Sequence, residues 1–467
     1  MNAWTDDASS LADAVRQREV RAADALEASL EAIRRSKLNT VVTLDAEGAR
    51  RQAETIDERL ERGEDPGLWA GVPLLVKDLE DAAGMPTSYG SLVFKENMAE
   101  RDSTHVERLR AAGAVIVGKA ATSEFGFVAY TSTKLHGVTR NPWNLERTPA
   151  GSSGGPAAAV SGGLVPIATA GDGGGSIRIP ASYCGLVGLK GTFGRIPRGP
   201  QTDYGQLAAV KGTVARSVRD AARWYDVTCG YDLRDPFSLP RVDGWEESLG
   251  KRDLRGLRVA VSPDLGNAVV HPEVERLARE AADLLIEAAG LRRVEVDVKI
   301  PENGLAWATA GLPSLVADLE DHWPDCKDDL TLEIRFAMEA APQFRAWHGA
   351  KVERFRVEMN EAMADLFEQV DILLCATSPM EPFAAEGPMP YQVGEVKVSP
   401  YNAGALTIPA NLSGYPAISI PAGLSSAGLP IGLQAYARRH EDALLLDLAL
   451  TMERTRPWPL VVSDAPI

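Results

Sequence analysis

Apolar and polar residues follow two different periods in the first part of the chain. Residues 9–36 repeat apolar positions at helical spacing, which predicts a helix capped by Ser9 or Ser10. A second amphipathic helix is predicted from about residue 46 to 61. The apolar run GVPLLVKD then predicts a buried strand that ends in a charge.

Helices and strands continue to alternate after this strand. STHVERLRAAG predicts a helix with Ser103 as its cap and Gly113 at its end, and AVIVGK predicts a strand. GGPAAAVSGG predicts a helix of small residues, and LVPIA predicts another strand. This alternation favours an α/β fold in which helices cover a buried sheet.

The second half of the chain repeats the pattern with longer polar segments. Residues 231–256 are polar and contain prolines, which indicates a surface connection, and residues 312–368 are charged and mostly helical in pattern. The other predicted elements are strands at LRVAVSPD, RRVEVDV and DILLCAT and helices at about 272–290 and 440–454. No clear boundary separates two domains, so we expect one domain over residues 1–467.

Composition and charge narrow the classes of function. Of the 467 residues, 45% are hydrophobic and 24% are charged, which is typical of a globular protein and excludes a disordered chain. The formal net charge of −16 repels phosphate backbones, so we expect no nucleic-acid partner. The closest two of the four cysteines, Cys184 and Cys229, are 45 residues apart, which excludes zinc-ribbon spacing and predicts thiols in a reducing compartment.

We expect no targeting or membrane segment in this chain. The first ten residues lack the basic and apolar regions of a secretory signal. Residues 148–171 and 398–437 contain no charge, but glycine and proline interrupt both stretches repeatedly. The sequence therefore predicts buried strands, turns and short helices there, and a cytoplasmic protein with no membrane partner.

Two glycine–serine clusters, GSSGG and GDGGGS, stand out as candidate chemistry. Ser152 and Ser176 are 24 residues apart, which leaves room for a helix and a strand, so both clusters can emerge at the same sheet edge. Glycine loses more conformational entropy on folding than other residues. Glycine-rich loops are therefore typical of places where the backbone turns sharply or presents N–H groups. The successive amides from Gly173 to Ser176 can form a nest that binds an oxyanion.

Three kinds of site fit parts of this region. GAVIVGKA nearly matches a phosphate-binding loop, but Ala120 lacks the hydroxyl that binds magnesium. GSSGG formally matches a nucleophile elbow with Ser153, but the segment before it does not resemble a strand. The third is a hydrolase in which Lys77, at the end of a buried strand, works as a neutral base beside the two clusters. Alone, such a lysine is most often a surface group or an ion-pair partner, here of Asp78.

Taken together, these blocks resemble the amidase signature family of hydrolases. The resemblance covers about residues 71–198, through GVPLLVKD, GMPTSYGS, GAVIVGKA, SEFGF, GVTRNPWN, TPAGSSGGPAAAVSGG and AGDGGGSIRIPASYCGLVGLKGTFGR. It implies one α/β/α domain around a mixed, twisted sheet, with a variable helical cover at about residues 300–370. It also implies an amidase whose mechanism needs no organic cofactor, and a homodimer. No cluster of histidine, aspartate or glutamate shows metal-ligand spacing, so we expect no metal.

The resemblance assigns roles to residues of both clusters. It makes Ser176 the nucleophile, Ser152 the bridging serine after a cis peptide bond, and Lys77 the base. The residues implied to bind the oxyanion or the substrate are Gly173, Gly174, Gly175 and Gly126. The residues implied to support them are Ser153, Asp172 and Arg178. Departures from the family pattern are Gly171, Ala150 and Pro156, where threonine, glycine and serine are usual.

The resemblance leaves the substrate open among aryl, aliphatic and amino-acid amides, carbamates and esters. The variable segments that would build the pocket are 124–136, 200–208, 312–350 and 376–405. The candidate pocket residues are Phe125, Phe127, Tyr130, Tyr204 and Trp307. Two alternatives remain: the glutamine-hydrolysing component of a tRNA-dependent amidotransferase, which needs partner chains, and a catalytically silent binding protein of the same fold.

Overall fold

The computed structural model describes residues 4–200 and 207–463. The helices are α1 (Ala8–Arg16), α2 (Ala22–Arg35), α3 (Ala46–Glu61), α4 (Thr104–Ala111), α5 (Gly154–Ser161), α6 (Arg178–Cys184), α7 (Val218–Thr228), α8 (Pro272–Ala289), α9 (Gly304–Leu319), α10 (Leu332–Ala340), α11 (Ala346–Gln369), α12 (Ile408–Ser413) and α13 (Asp442–Thr455). The strands are β1 (Val41–Leu44), β2 (Pro73–Lys77), β3 (Val115–Ala120), β4 (Ser132–Thr133), β5 (Gly137–Val138), β6 (Ile167–Asp172), β7 (Gly188–Lys190), β8 (Val210–Val214), β9 (Arg258–Val261), β10 (Arg292–Arg293), β11 (Ile372–Ala376), β12 (Gln392–Val393), β13 (Val396–Lys397), β14 (Ala417–Leu424) and β15 (Pro430–Ala437).

Two mixed sheets form the centre of the fold. One has the strand order β1-β3-β2-β6-β8, and the other has the order β10-β9-β11-β15-β14-β7. Val187 and Ala215 exchange two backbone hydrogen bonds of 2.9 Å, which join the edges at β7 and β8. The predicted mixed sheet under a helical cover is confirmed.

The carboxyl end of β2 is the place where the two glycine–serine clusters meet. Strand β2 runs parallel to β6, with Leu75 opposite Ala168, so Lys77 and the loop after Asp172 leave the sheet at the same edge. All five residues of β2 are buried, as expected for a parallel strand covered on both faces. Helix α5 begins directly after Ser153, which brings the first cluster to that edge as well.

The N-terminal helix prediction was wrong in two respects. Residues 9–36 form two helices, α1 and α2, because Arg18 takes a positive φ and the first N–H groups of α2 donate to the carboxylate of Asp57. The cap of α1 is Asp7, whose Oδ1 accepts from the Ser10 amide at 2.6 Å, and not Ser9 or Ser10.

Most of the other predicted elements are confirmed. Helix α3 has the predicted bounds, Ser103 caps α4, and the 312–368 segment is mostly helical. The strand predicted at RRVEVDV shrinks to Arg292–Arg293, because β10 is an edge strand that pairs with only two residues of β9. All four cysteines are free and buried. Within the described ranges, no helix is both long and apolar enough to cross a bilayer.

Candidate active site

Lys77 is the last residue of β2, and its side chain is 1% exposed. Its Nζ lies 2.7 Å from Ser152 Oγ and 2.8 Å from Ser153 Oγ. Burial lowers the pKa of Lys77 to about 7, helped by the positive charge of Lys211 and opposed by the charges of Glu80 and Asp172. A neutral amine with hydroxyl partners can accept a proton from them.

The first cluster presents Ser152 to this amine. The Gly151–Ser152 peptide bond is cis, as the family resemblance implied. Gly151 leaves no space for a side chain, because a Cβ there would meet the Tyr130 amide nitrogen at 2.6 Å. Ala150, where the family usually has glycine, takes a φ of 68°, in the left-handed region that favours glycine. Gly126, which we expect to face the substrate, lies close by, since a Cβ on it would be 3.3 Å from Ser152 Oγ.

Ser153 has its Oγ between the Lys77 amine and the backbone of Gly171. Its side chain is fully buried, and its Oγ donates to the Gly171 carbonyl at 3.3 Å while accepting from Lys77. No strand leads into Ser153, so the nucleophile-elbow geometry is absent from this described segment. The phosphate-loop alternative also fails, because Gly118 and Lys119 lie inside strand β3.

The second cluster forms a nest that Asp172 braces from behind. Asp172 Oδ1 accepts from the Gly175 amide at 2.7 Å, and Oδ2 accepts from the Ile177 amide at 3.2 Å. The Gly175 N–H therefore already has an acceptor, while Gly175 itself lines the apolar cavity described below. Across the described residues, no hydrogen-bond partner is found for the N–H groups of Gly173, Gly174 and Ser176.

Two side chains from distant elements hold the carbonyls of the nest. Trp307 Nε1, on α9, donates to the Gly173 carbonyl at 2.7 Å. Thr407 Oγ1 donates to the Gly174 carbonyl at 2.6 Å. A Cβ on Gly174 would meet the Trp307 ring at 2.8 Å, so only glycine fits there. Sequence reasoning placed Trp307 only among candidate pocket residues and gave no signal for Thr407.

Arg178 ties the nest to the second sheet and lines neither cavity described below. It is fully buried and forms an ion pair with Asp172 at 2.9 Å. Its guanidinium also donates to the Thr407 carbonyl, Asn411 Oδ1 and Gln434 Oε1. The same guanidinium and Asn411 hold the pKa of Asp172 well below its usual range despite burial. Asp172 is thus a charged structural anchor.

Ser176 lies between two cavities. The apolar cavity, of about 400 Å³, is lined by Ser176, Phe127, Leu305, Trp307, Phe336 and Phe344 among others. The polar cavity, of about 310 Å³, is lined by Lys77, Ser152, Ser176, Glu80 and Lys211 among others. Ser176 is half-buried, and its hydroxyl makes no hydrogen bond to any described residue. Lys77, Ser152 and Ser176 therefore share one cavity, with the hydrogen bond made only between the first two.

The pocket predictions are met in part. Phe125, Phe127 and Trp307 line the cavities, whereas Tyr130 lines neither and donates instead to Glu333 Oε1 at 2.6 Å. Tyr204 lies outside the described residues. Sequence reasoning missed Glu80 and Lys211; the available signal was a lysine inside the otherwise uncharged strand β8. Of the described residues, no group of three or more histidine, cysteine or acidic side chains is arranged to hold a metal ion.

Comparison with known proteins gives a consistent set of relatives. The family model described as Amidase matches residues 24–446. An acylamidase of Rhodococcus erythropolis is 34% identical over 433 residues, covering 90% of this chain and 89% of the relative. A glutamyl-tRNA(Gln) amidotransferase component of Cyanothece sp. is 34% identical over 450 residues, covering 90% and 92%. The crystal structure of a bacterial aryl acylamidase of the amidase signature enzymes family superposes with a TM-score of 0.92 at 28% identity, covering 98% of this chain and 97% of that one.

Proposed function

Because this chain belongs to the amidase signature family, whose members hydrolyse amides, we propose that it cleaves the C–N bond of a small-molecule amide or carbamate through an acyl-enzyme on Ser176. The observation that carries the proposal is the buried contact of 2.7 Å between Lys77 Nζ and Ser152 Oγ, in the cavity that Ser176 also lines. Ser152 and neutral Lys77 form the proton relay.

Acylation follows from this arrangement. A serine hydroxyl is a poor nucleophile until a base removes its proton during attack. Ser176 Oγ bonds to the substrate carbonyl carbon, its proton passes to Ser152 Oγ, and the Ser152 proton passes to Lys77 Nζ. The carbonyl electron pair moves onto oxygen. The C–N bond then breaks, and the proton on Lys77 returns through Ser152 to the leaving nitrogen.

Deacylation uses the same groups in reverse order. Water attacks the ester carbon while its proton passes through Ser152 to Lys77. The bond between the acyl carbon and Ser176 Oγ breaks, and the proton returns to Ser176. In both stages the negative oxygen would bind the free N–H groups of Gly173, Gly174 and Ser176, each of which is typically worth about 3–4 kcal/mol in a nest of this kind.

Labelling with a fluorophosphonate, followed by intact-mass measurement, tests the proposal. Wild type should take up one label, Ser176→Ala none, and Lys77→Ala should react much more slowly. Ser153→Ala is the matched control: the Ser153 hydroxyl also touches Lys77 but takes no part in the proposed relay, so this variant should still take up one label. A label that survives in Ser176→Ala would refute the nucleophile. A wild type that takes up no label favours the silent binding protein.

The amidotransferase component is the second candidate, because relatives of that name match over 90% of this chain. It would hydrolyse glutamine and depend on partner chains. The purified chain should hydrolyse an aryl or alkyl amide alone, with little glutaminase activity. Glutaminase activity that appears only with co-purified partner chains would favour the amidotransferase instead.

A further inference from the structure

We propose that the two cavities at Ser176 bind different halves of the substrate. The acyl half is apolar and occupies the apolar cavity, and the amine half is polar, carries a hydroxyl and binds between Lys211 and Glu80 in the polar cavity. This inference rests on the proposed function, because it assigns the halves from the direction of the proton relay.

The relay fixes which cavity receives the amine. The leaving nitrogen must take its proton from Ser152, and Ser152 and Lys77 line the polar cavity but not the apolar one. The nitrogen therefore departs on the polar side. With Ser176 on the wall common to both cavities, the acyl group that stays bonded to it extends to the apolar side.

The apolar cavity suits a hydrophobic acyl group. Of the described residues that line it, Glu333 alone is charged, and its carboxylate is already bound by the Tyr130 hydroxyl at 2.6 Å. Leu305 and Phe336 are 68% and 59% exposed, and Phe344 and Tyr401 are also exposed. Large apolar side chains left open around a cavity mark a binding surface for an apolar ligand.

The polar cavity contains a buried acceptor that lacks a donor. Glu80 is 2% exposed, and its Oε1 has no hydrogen-bond partner among the described residues. Glu80 Oε2 accepts from His105 Nδ1 at 2.9 Å, because His105 Nε2 is occupied by the Trp224 indole N–H. Lys211 Nζ lies 3.8 Å from Glu80 Oε1, too far for a hydrogen bond.

A hydroxyl complements this pair better than a charged group does. It can donate to Glu80 Oε1 and accept from Lys211 at the same time. A carboxylate would be repelled by Glu80, and an ammonium by Lys211. Gly171 lines the same cavity without a side chain, where the family usually has threonine, which leaves additional space beside the pair.

A pair of isomeric amides tests the assignment of the halves. The first joins phenylbutanoic acid to aminoethoxyethanol, and the second is the isomer in which carbonyl and N–H are exchanged. The first should have a kcat/KM at least about tenfold higher, since a mismatched apolar group is typically worth this much. Equal rates, or a faster second isomer, would overturn the inference while leaving the proposed function intact.

A substitution in one cavity should change the recognition of only that half of the substrate which binds there. Phe336→Asn should raise the KM of the first amide, while Leu332→Asn, an equally exposed leucine on the same helix that lines neither cavity, should not. The first amide should be preferred over its methyl ether, which can still accept from Lys211 but cannot donate to Glu80 Oε1. Glu80→Met should remove this preference, and Glu80→Gln, which keeps an acceptor oxygen, should retain it. A preference that survives in Glu80→Met would overturn the polar assignment.

Fluorophosphonate labelling separates the two kinds of failure. If Ser176 is labelled but neither amide is hydrolysed, the division of the substrate is wrong and the nucleophile stands. If Ser176 is not labelled at all, the proposed function fails, and the inference fails with it.

Discussion

Lys77 and Lys119 lie on the paired strands β2 and β3, but their amines have different hydrogen-bond partners. Lys119 is opposite Val76 in the β2–β3 register, so the two lysines leave opposite faces of the sheet. Both are almost fully buried. Lys119 Nζ donates to two backbone carbonyls and Thr87 Oγ1 and lies 3.4 Å from Asp78. Among the residues that the structure describes, the Lys77 amine has only the hydroxyls of Ser152 and Ser153 as hydrogen-bond partners.

The hydrogen-bond partners of a buried lysine decide whether it can exchange a proton. Burial lowers the pKa of both amines, but Asp78 opposes this for Lys119 by favouring its charged form. Carbonyl and carboxylate oxygens accept hydrogen bonds only, so Lys119 must keep its protons to satisfy them. Serine hydroxyls both donate and accept, so Lys77 can exchange a proton with them. Burial alone therefore does not identify a base, whereas the kind of partner does.

The largest expected effect is on catalysis. Lys77→Met should lower kcat/KM by about 10²–10⁴-fold, the typical contribution of a general base. Lys119→Met should leave the kcat of the folded fraction within a few-fold of wild type, since Lys119 lines neither cavity. Steady-state kinetics on one amide measure both. Similar losses of activity in the two variants would mean that the two lysines do not differ in their contribution to catalysis.

For stability we expect the opposite ranking of the two variants, with the larger loss in Lys119→Met. Lys119→Met leaves Asp78 buried without its cation, so the free energy of unfolding should fall by about 3–5 kcal/mol. Lys77→Met removes no ion pair, and its free energy of unfolding should fall by much less. Urea unfolding at neutral pH compares the two variants, and an equal loss would mean that Lys77 is also a structural cation.

The pH dependence of stability tests whether Lys77 is neutral in the folded protein. The folded-state pKa of Lys77 is about 7, below its usual 10.5, so the unfolded chain binds more protons between these values. Wild type should therefore gain stability relative to Lys77→Met as the pH rises from 7 to 10, by at most about 4 kcal/mol. A stability difference that stays constant over this range would contradict a neutral buried lysine.

The smallest expected effect comes from Lys211. Its positive charge lowers the pKa of Lys77, and its removal also leaves the charge of Glu80 unopposed. Lys211→Met should therefore move the midpoint of the pH–rate profile to higher pH, by about one unit or less. Lys211→Arg keeps the charge and should restore the wild-type midpoint. A shift to lower pH would contradict the electrostatic account.

The local parts of the fold and site follow from the sequence. Helix α3 and strand β2 were predictable because their periodicity depends only on neighbouring residues. The position of Lys77 followed from the polar end of an apolar run, and the serine clusters followed from their glycine content.

The features that could not be predicted from the sequence depend on contacts between segments that are far apart in the chain. The break before α2 needs the Asp57 carboxylate, which lies on α3. The hydrogen bond from the Gly175 N–H to Asp172 depends on how the loop folds over this carboxylate. Glu80 and Lys211 meet only because the β2 and β8 ends of one sheet face the same cavity. None of these contacts leaves a periodic signal in the sequence.

The pH dependence of Ser176 acylation tests the proposed role of Lys77 as a neutral base. The second-order rate of fluorophosphonate inactivation would be measured from pH 5 to pH 10 in wild type and in Lys77→Met. If Lys77 is the neutral base, the wild-type rate rises through a midpoint near 7 to a plateau, and the Lys77→Met rate is low throughout. A flat wild-type profile, or the same midpoint in Lys77→Met, would contradict it.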